Sequence, residues 1–177
     1  MIVKDYMDIL GSKFPTVQAH VIGDPSIYEN IVLEDGSPPL PSKDEMDTVA
    51  LTSAQTDAWL RIQDERDLRK AGGIKINTDW FHSDDTSRIQ QIALVMVGAN
   101  MPPGIMWKTM TGSFVQMTPT LAMSIFQGII GQDTKIFAVA ENLREAMLAS
   151  TDDPHDFDYK SGWPQSYQDF LDSQVAA

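Results

Sequence analysis

The sequence predicts an α+β fold, in which short β-hairpins pack with helices. Three observations support this class. Two short apolar runs flank a turn between Ile105 and Pro119, which is typical of a hairpin. Apolar residues then recur at helical spacing from Ala122 to Met147. The first fifty residues combine a short amphipathic pattern with two further strand-like runs, which indicates a small helix-plus-hairpin module.

The register of the hairpin at Ile105 to Pro119 follows from its side chains. A two-residue turn at Thr111 and Gly112 would require positive φ at a β-branched residue, which is unfavourable. A three-residue loop lets Gly112 alone take the left-handed conformation and pairs Thr109 with Ser113. This register is preferred because it places the apolar side chains on one face. Those side chains are Ile105, Trp107, Val115 and Met117.

The N-terminal part is predicted to form a module over residues 1–50, joined to the rest by a bridging helix over 51–72. The module contains a helix within the first thirteen residues and strands at Val17–Ile22 and Ile27–Leu33. Ser42 and Glu45 have the spacing of a capping box, so a short helix is expected from Lys43 to Val49. Thr52 and Gln55 repeat that spacing and predict a separate start for the bridging helix.

Residues 73–150 are predicted to form the main α+β domain. A short strand is expected at Gly73 to Asp79, with Trp80-Phe81 as its partner or as a bend beside it. Ser83 is then the expected cap of a helix to Ala99. That helix is apolar on all sides from Leu94 to Val97 and is expected in the middle of the core. Thr118 and Pro119 begin a second helix, single or broken at its central glycines. The expected core landmarks are Trp107, Val115, Met117, Ile92, Phe126 and Ile129.

Residues 151–177 are predicted to be an acidic linker or mobile arm followed by an aromatic C-terminal peptide. The aromatic peptide has helical spacing and docks either on a partner or on its own core, two alternatives that the sequence leaves open. Partner contact is assigned to Trp163, Tyr167, Phe170 and Leu171, together with Phe137 on the long helix. Seven-residue spacing along that helix also allows self-association, although packing within the chain is preferred.

Composition narrows the classes of function. The formal net charge of −12 disfavours nucleic-acid and anionic-membrane partners, because neutralising phosphates requires a basic face. The absence of cysteine excludes disulfides, thiolate catalysis and the usual zinc sites. The N-terminus does not resemble a signal peptide, and the longest apolar run is shorter than a membrane span requires. A soluble protein made inside the cell is expected, with proteins as its partners.

No catalytic, cofactor or metal site is predicted. The three histidines lie in separate segments without a ligand or catalytic motif. The acidic cluster between Asp152 and Asp158, with His155 inside it, lacks the glycine and terminal glutamate of an EF-hand loop. We therefore expect a non-enzymatic protein, with a metal-dependent hydrolase using this cluster as a remote alternative.

Two motifs carry a resemblance to a known family. They are RKAGGIKINTDWFHSDDTSRIQQIALVM at Arg69 to Met96 and MWKTMTGSFVQMT at Met106 to Thr118, followed by the long helix. With them, residues 69–149 resemble a domain of unknown function found in bacteriophage tail-fibre gene clusters, and the N-terminal part is loosely similar to short prophage tail-module proteins. Residues 152–177 depart from the pattern.

The resemblance implies a function in tail-fibre assembly. Proteins of this kind are typically chaperones for fibre folding and trimerisation, and the expected partner is a trimeric fibre protein. The alternative is a permanent structural component of the fibre or baseplate, such as an adaptor or hinge. The expected location is accordingly the host cytoplasm during assembly or the tail of the virion. The resemblance implies no catalytic residues and no cofactor.

Overall fold

The computed structural model describes residues 5–175 and confirms the α+β class. Within these residues it contains five α-helices and three antiparallel sheets of two strands each. The helices are α1 Tyr6–Lys13, α2 Lys43–Ala71, α3 Asp85–Val97, α4 Pro119–Ala149 and α5 Tyr167–Val175. The strands are β1 Ala19–Val21, β2 Ile31–Leu33, β3 Ile74–Ile76, β4 Asp79–Phe81, β5 Met106–Lys108 and β6 Phe114–Gln116.

The chain divides into two compact units. Among the described residues, the first comprises 5–61 with Arg144–Asp158, and the second comprises Ile62–Leu143 with 159–175. Helices α2 and α4 each contribute residues to both units. The boundaries of the four predicted segments lie at other positions. The predicted bridging helix is divided between the two units, and the acidic segment up to Asp158 is part of the first unit.

The first unit contains the predicted helix and hairpin. Strands β1 and β2 pair with His20 opposite Val32, and a 3-10 turn at Tyr28–Asn30 makes the second strand shorter than predicted. The part of the first predicted helix before Asp5 lies outside the described residues. The core of this unit consists of Tyr6, Leu10, Met46 and Ala50.

Helix α2 is continuous, so the prediction of two separate helices is wrong. Its start is as predicted, since Glu45 accepts hydrogen bonds from the Ser42 backbone and hydroxyl at 2.8 Å. The second capping signal at Thr52 is not used, because the Thr52 hydroxyl donates instead to the Thr48 carbonyl of the preceding turn. Buried residues recur every four positions along one side: Met46, Ala50, Ala54, Ala58 and Ile62.

The second unit contains the hairpin whose register was predicted, and the register is confirmed. Trp107 pairs with Val115, the Thr109 amide donates to the Ser113 carbonyl at 2.9 Å, and Gly112 has a φ of +88°. Strands β3 and β4 form a second hairpin with Ile74 opposite Phe81. The core of this unit consists of Ile74, Phe81, Met117, Ala122, Ile125 and Ile129.

Helix α3 differs from its prediction at its start and in its burial. Its N-cap is Asp84, whose carboxylate accepts from the Ser87 amide at 3.0 Å, rather than Ser83. Leu94 and Val95 pack on the core, but Ile92 is 43% exposed and is not a core residue. The prediction that this helix lies in the middle of the core is therefore wrong.

Helix α4 is a single helix that begins as predicted. Its N-cap Thr118 accepts from the Leu121 amide at 3.1 Å. Of the remaining core landmarks, Met117 and Ile129 are buried, whereas Phe126 is only half-buried. Trp107 and Val115 are partly buried and pack against the core of the second unit.

Candidate functional site

The aromatic C-terminal peptide docks on its own unit. Tyr167 and Phe170, in α5, pack on the Trp80 ring with centroid distances of 5.6 and 5.8 Å. The Tyr167 amide also donates to the Gly72 carbonyl at 2.8 Å. Of the two alternatives that the sequence left open, the structure shows docking on the chain's own core for these two side chains.

A capping box fixes the start of α5. The Asp169 carboxylate accepts from the Ser166 amide at 2.8 Å, and the Asp169 amide donates to the Ser166 hydroxyl at 3.2 Å. Arg69 of α2 forms ion pairs with Asp169 and with Glu65. Burial, the largest influence, would raise the pKa of Asp169. The hydrogen bonds from Ser166 and the charge of Arg69 outweigh it and hold that pKa below its usual value.

The other predicted partner residues are more accessible. Leu171 is exposed, and Trp163 is half-buried with its indole N–H donating to the Tyr159 carbonyl at 2.8 Å. Phe137 is exposed on α4, where the Arg66 guanidinium lies 5.1 Å from its ring centroid and the Lys70 ammonium 5.4 Å. Of the five predicted side chains, Leu171 and Phe137 are exposed, and the three others are half-buried.

The acidic segment before the aromatic peptide is partly anchored in the first unit. Pro154 is buried within a 3-10 turn, and the Arg61 guanidinium donates to the Pro154 and His155 carbonyls at 2.8 Å. This part of the predicted mobile arm is therefore fixed. Asp153 caps the turn by accepting from the His155 amide at 3.0 Å. No group of three or more metal-binding side chains occurs among residues 5–175.

The most distinctive surface of the second unit is an apolar face of α3. Ile89 and Met96 are 69% and 82% exposed, and Ile92 and Val97 are also exposed. The first three lie on one side of the helix, because they are separated by three and four residues. We call these four residues the α3 outer face.

Two polar side chains bond α3 to the rest of the unit. The Gln91 side-chain amide donates to the His82 carbonyl at 2.8 Å, and Arg88 forms an ion pair with Asp133 of α4 at 2.6 Å. The helix that carries the α3 outer face is therefore bonded both to the segment before it and to α4. The sequence predicts a helix that is apolar on all sides from Leu94 to Val97 and lies in the middle of the core, but Ile92, Met96 and Val97 are exposed. The helical spacing of Ile89, Ile92 and Met96 was the signal, yet it cannot say which side is covered.

Comparisons with known proteins give a family. A family model described as a domain of unknown function, DUF4376, matches residues 53–161, and the chain belongs to this family. The match contains the whole of residues 69–149, the segment in which the sequence motifs lie. Neither the curated proteins nor the solved structures gave a match. Within residues 5–175, no helix combines the length and apolar character that crossing a membrane requires.

Proposed function

We propose that the protein is a non-enzymatic assembly chaperone for a bacteriophage tail fibre. In this proposal it binds the fibre polypeptide through the α3 outer face while the fibre folds and trimerises in the host cytoplasm. The observation that carries the proposal is the exposure of Ile89 and Met96 on a helix that is bonded to its unit by Gln91 and Arg88. The sequence resemblance to proteins of tail-fibre gene clusters supplies the class of partner.

The chemistry of the α3 outer face suits an incompletely folded partner. Contiguous exposed apolar side chains mark interaction sites, since they cost free energy when left in water. Methionine is flexible and polarisable, so Met96 can adapt to different apolar side chains. The net charge of −12 keeps the protein soluble while such side chains are exposed.

The small size of this face favours a transient partner. Permanent interfaces are large and strongly apolar, whereas four side chains on one helix provide only a limited contact. A chaperone must release its substrate, and a limited contact allows release. The aromatic C-terminal peptide contributes less, because Tyr167 and Phe170 already pack on Trp80.

Co-expression with the fibre protein encoded in the same gene cluster tests the proposal. We expect the yield of soluble, trimeric fibre to rise with the wild-type protein and to fall to the chaperone-free level with Ile89→Ser combined with Met96→Ser. The control is Leu68→Ser, which removes a side chain of similar size that is 67% exposed on α2. Equal fibre yields with and without the wild-type protein would refute the proposal.

Purified phage particles separate a chaperone from a permanent tail component. A chaperone is absent from the finished particle, whereas an adaptor or hinge occurs in fixed stoichiometry with the fibre. Mass spectrometry of the particles makes this distinction. Stoichiometric protein in the particle would favour the structural alternative.

A further inference from the structure

A second exposed surface lies in the first unit, on the β1–β2 hairpin. Beyond one end of the paired strands, the Ile22 amide donates to the Asn30 carbonyl at 2.9 Å. Beyond the other end, the Glu34 amide donates to the Gln18 carbonyl at 2.9 Å. The alternation of side chains between the two faces of the hairpin therefore extends from Gln18 to Ile22 and from Asn30 to Glu34.

One face of this hairpin packs on the core of its unit, and the other is exposed. Ala19 and Ile31 are partly buried and pack against that core. Their neighbours His20 and Val32 are paired with each other and lie on the opposite face. By the same alternation, Ile22 and Glu34 lie on that face as well. All four side chains are exposed, and we call them the hairpin outer face: His20, Ile22, Val32 and Glu34.

Apolar side chains are exposed on the hairpin outer face and beside it. Ile22 and Val32 are 65% and 39% exposed, and Ile27 in the connecting loop is 44% exposed. Ile22 is the diagonal neighbour of Val32 across the strand pair, within the distance at which side chains on one face interact. The solvated face of an antiparallel sheet is usually polar, whereas neighbouring exposed apolar side chains mark interaction sites.

The loop that joins the two strands is fixed by hydrogen bonds. The Ile27 amide donates to the Asp24 carbonyl at 3.2 Å, and the Asn30 side-chain amide donates to the same carbonyl at 3.0 Å. The Tyr6 amide of α1 donates to the Pro25 carbonyl at 2.9 Å. Ile27 therefore lies on a backbone that is bonded within the loop and to α1, so a partner that binds it has little to order.

The charge around the hairpin outer face is negative. Between Phe14 and Ser42 the chain contains four carboxylates and no lysine or arginine. All four are exposed, namely Asp24, Glu29, Glu34 and Asp35. The described part of the first unit contains 15 Asp and Glu residues and 4 Lys and Arg residues, whereas that of the second unit contains 10 and 8. The negative charge of the protein is thus concentrated on the unit that carries this face.

We propose that the hairpin outer face binds a segment of another protein that carries lysine or arginine beside apolar side chains. The apolar side chains of this segment cover Ile22, Ile27 and Val32, and its cations lie beside Glu34 and Asp35. A second copy of the chain would place like carboxylates against each other, and nucleic acid and anionic membranes are repelled by the same charge. The proposed function uses only the α3 outer face of the second unit, so the two proposals fail independently.

Nuclear magnetic resonance of the full chain tests the proposal with three peptides at constant ionic strength. The probe is acetyl-Lys-Val-Lys-Ile-Lys-Val-Lys-amide. One comparison peptide has glutamate in place of every lysine, and the other has serine in place of every valine and isoleucine. We expect the probe to cause saturable shifts of the backbone amide resonances of residues 19–22 and 31–34. The glutamate peptide should leave these resonances in place, and the serine peptide should bind about tenfold more weakly because it lacks the apolar contact.

A first pair of variants tests the apolar contact. Ile22→Thr combined with Val32→Thr should weaken binding of the probe about tenfold. Threonine keeps the β-branched shape that suits a strand and replaces an apolar group by a hydroxyl. The control is Leu60→Gln, which removes an apolar side chain that is 51% exposed on α2 and should leave the affinity unchanged.

A second pair of variants tests the charge. Glu34→Gln combined with Asp35→Asn should weaken binding of the probe about fivefold, because two carboxylates beside the apolar contact are lost. The control is Asp57→Asn combined with Asp64→Asn, which removes the same formal charge from exposed positions of α2. It should change the affinity by less than about twofold, since screening limits the effect of distant charges. Circular dichroism establishes that each variant is folded.

Four results would overturn the proposal. Three concern the probe: no saturable shift within the hairpin, equal binding of either comparison peptide, and an affinity that both pairs of hairpin variants leave intact. The fourth is a dimer of the protein alone that Ile22→Thr combined with Val32→Thr dissociates. Analytical ultracentrifugation detects such a dimer, which would assign the hairpin outer face to a second copy of the chain.

Discussion

Replacing Arg88 with lysine is expected to destabilise the second unit substantially. The Arg88 guanidinium donates to both carboxylate oxygens of Asp133, at 2.6 and 3.0 Å, and to the Lys70 carbonyl at 2.8 Å. It also donates to the Ser83 carbonyl. One side chain of α3 therefore binds α4, the last turn of α2 and the segment that precedes α3. Lysine keeps the charge but has a single ammonium group, which cannot reproduce this planar fork.

The magnitude follows from the bonds that lysine cannot replace. An ammonium on Asp133 would leave the Lys70 and Ser83 carbonyls without this donor and the carboxylate without its second bond. Hydrogen bonds to charged groups contribute about 1.5–3 kcal/mol each, and the losses within one network are not additive. The Arg88 and Asp133 side chains are 19% and 24% exposed, so water compensates only in part. We expect a loss of about 2–4 kcal/mol in the free energy of unfolding.

Urea unfolding followed by circular dichroism measures this loss, and Arg66→Lys is the matched control. Arg66 also forms two hydrogen bonds with one carboxylate. Its partner, however, is the next residue, Asp67, and the Asp67 side chain is 58% exposed. Because the Asp67 carboxylate is mostly in water and adjacent in sequence, this local pair contributes about 0–1 kcal/mol. Equal losses in the two variants, or a loss below about 1 kcal/mol for Arg88→Lys, would refute the argument that the partly buried guanidinium of Arg88 links the three elements.

Further predictions concern α4 and α5. Gly131→Ala should stabilise the protein by about 1 kcal/mol, since alanine is the better helix former and its methyl group meets open space. Gly128→Ala should gain less or destabilise, because its methyl would lie 2.7 Å from Ile76 Cδ1, and thermal unfolding compares the two. Asp169→Asn should reduce stability at neutral pH and flatten its decline in acid. The folded-state pKa of Asp169 is lowered, so its contribution is complete above the unfolded value of about 3.9 and is lost as the pH falls through the folded-state pKa. A melting temperature with the same acid dependence in Asp169→Asn and wild type would contradict this.

Features determined by neighbouring residues could be predicted from the sequence. The hairpin register depends on the conformation of Gly112 and on alternation within two short strands, and the start of α4 depends on Thr118 and Pro119. The capping box at Ser42 and Glu45 is equally local. In each case the interacting residues lie within a few positions of one another, so their types are enough to predict the turn or the start of the helix.

Features determined by distant residues could not be predicted. Ser83 has the residue type of a helix cap, but its hydroxyl donates to the Lys70 carbonyl at 2.7 Å and accepts from the Gly73 amide at 2.9 Å. Asp133 interrupts an apolar column of α4 in the sequence, and only the structure shows Arg88 as its partner.

On α3, the residues that stabilise the protein are different from those that are accessible to a partner. Leu94 and Val95 pack on the core, and Gln91 is buried with its amide nitrogen bonded to the His82 carbonyl. Ile89 and Met96 are mostly exposed and so gain little free energy from burial in the folded chain. Polar residues at these two positions would therefore cost little stability and would lower the tendency to aggregate. Because folding does not require apolar side chains there, the apolar character of the α3 outer face agrees with the proposal that a partner binds it.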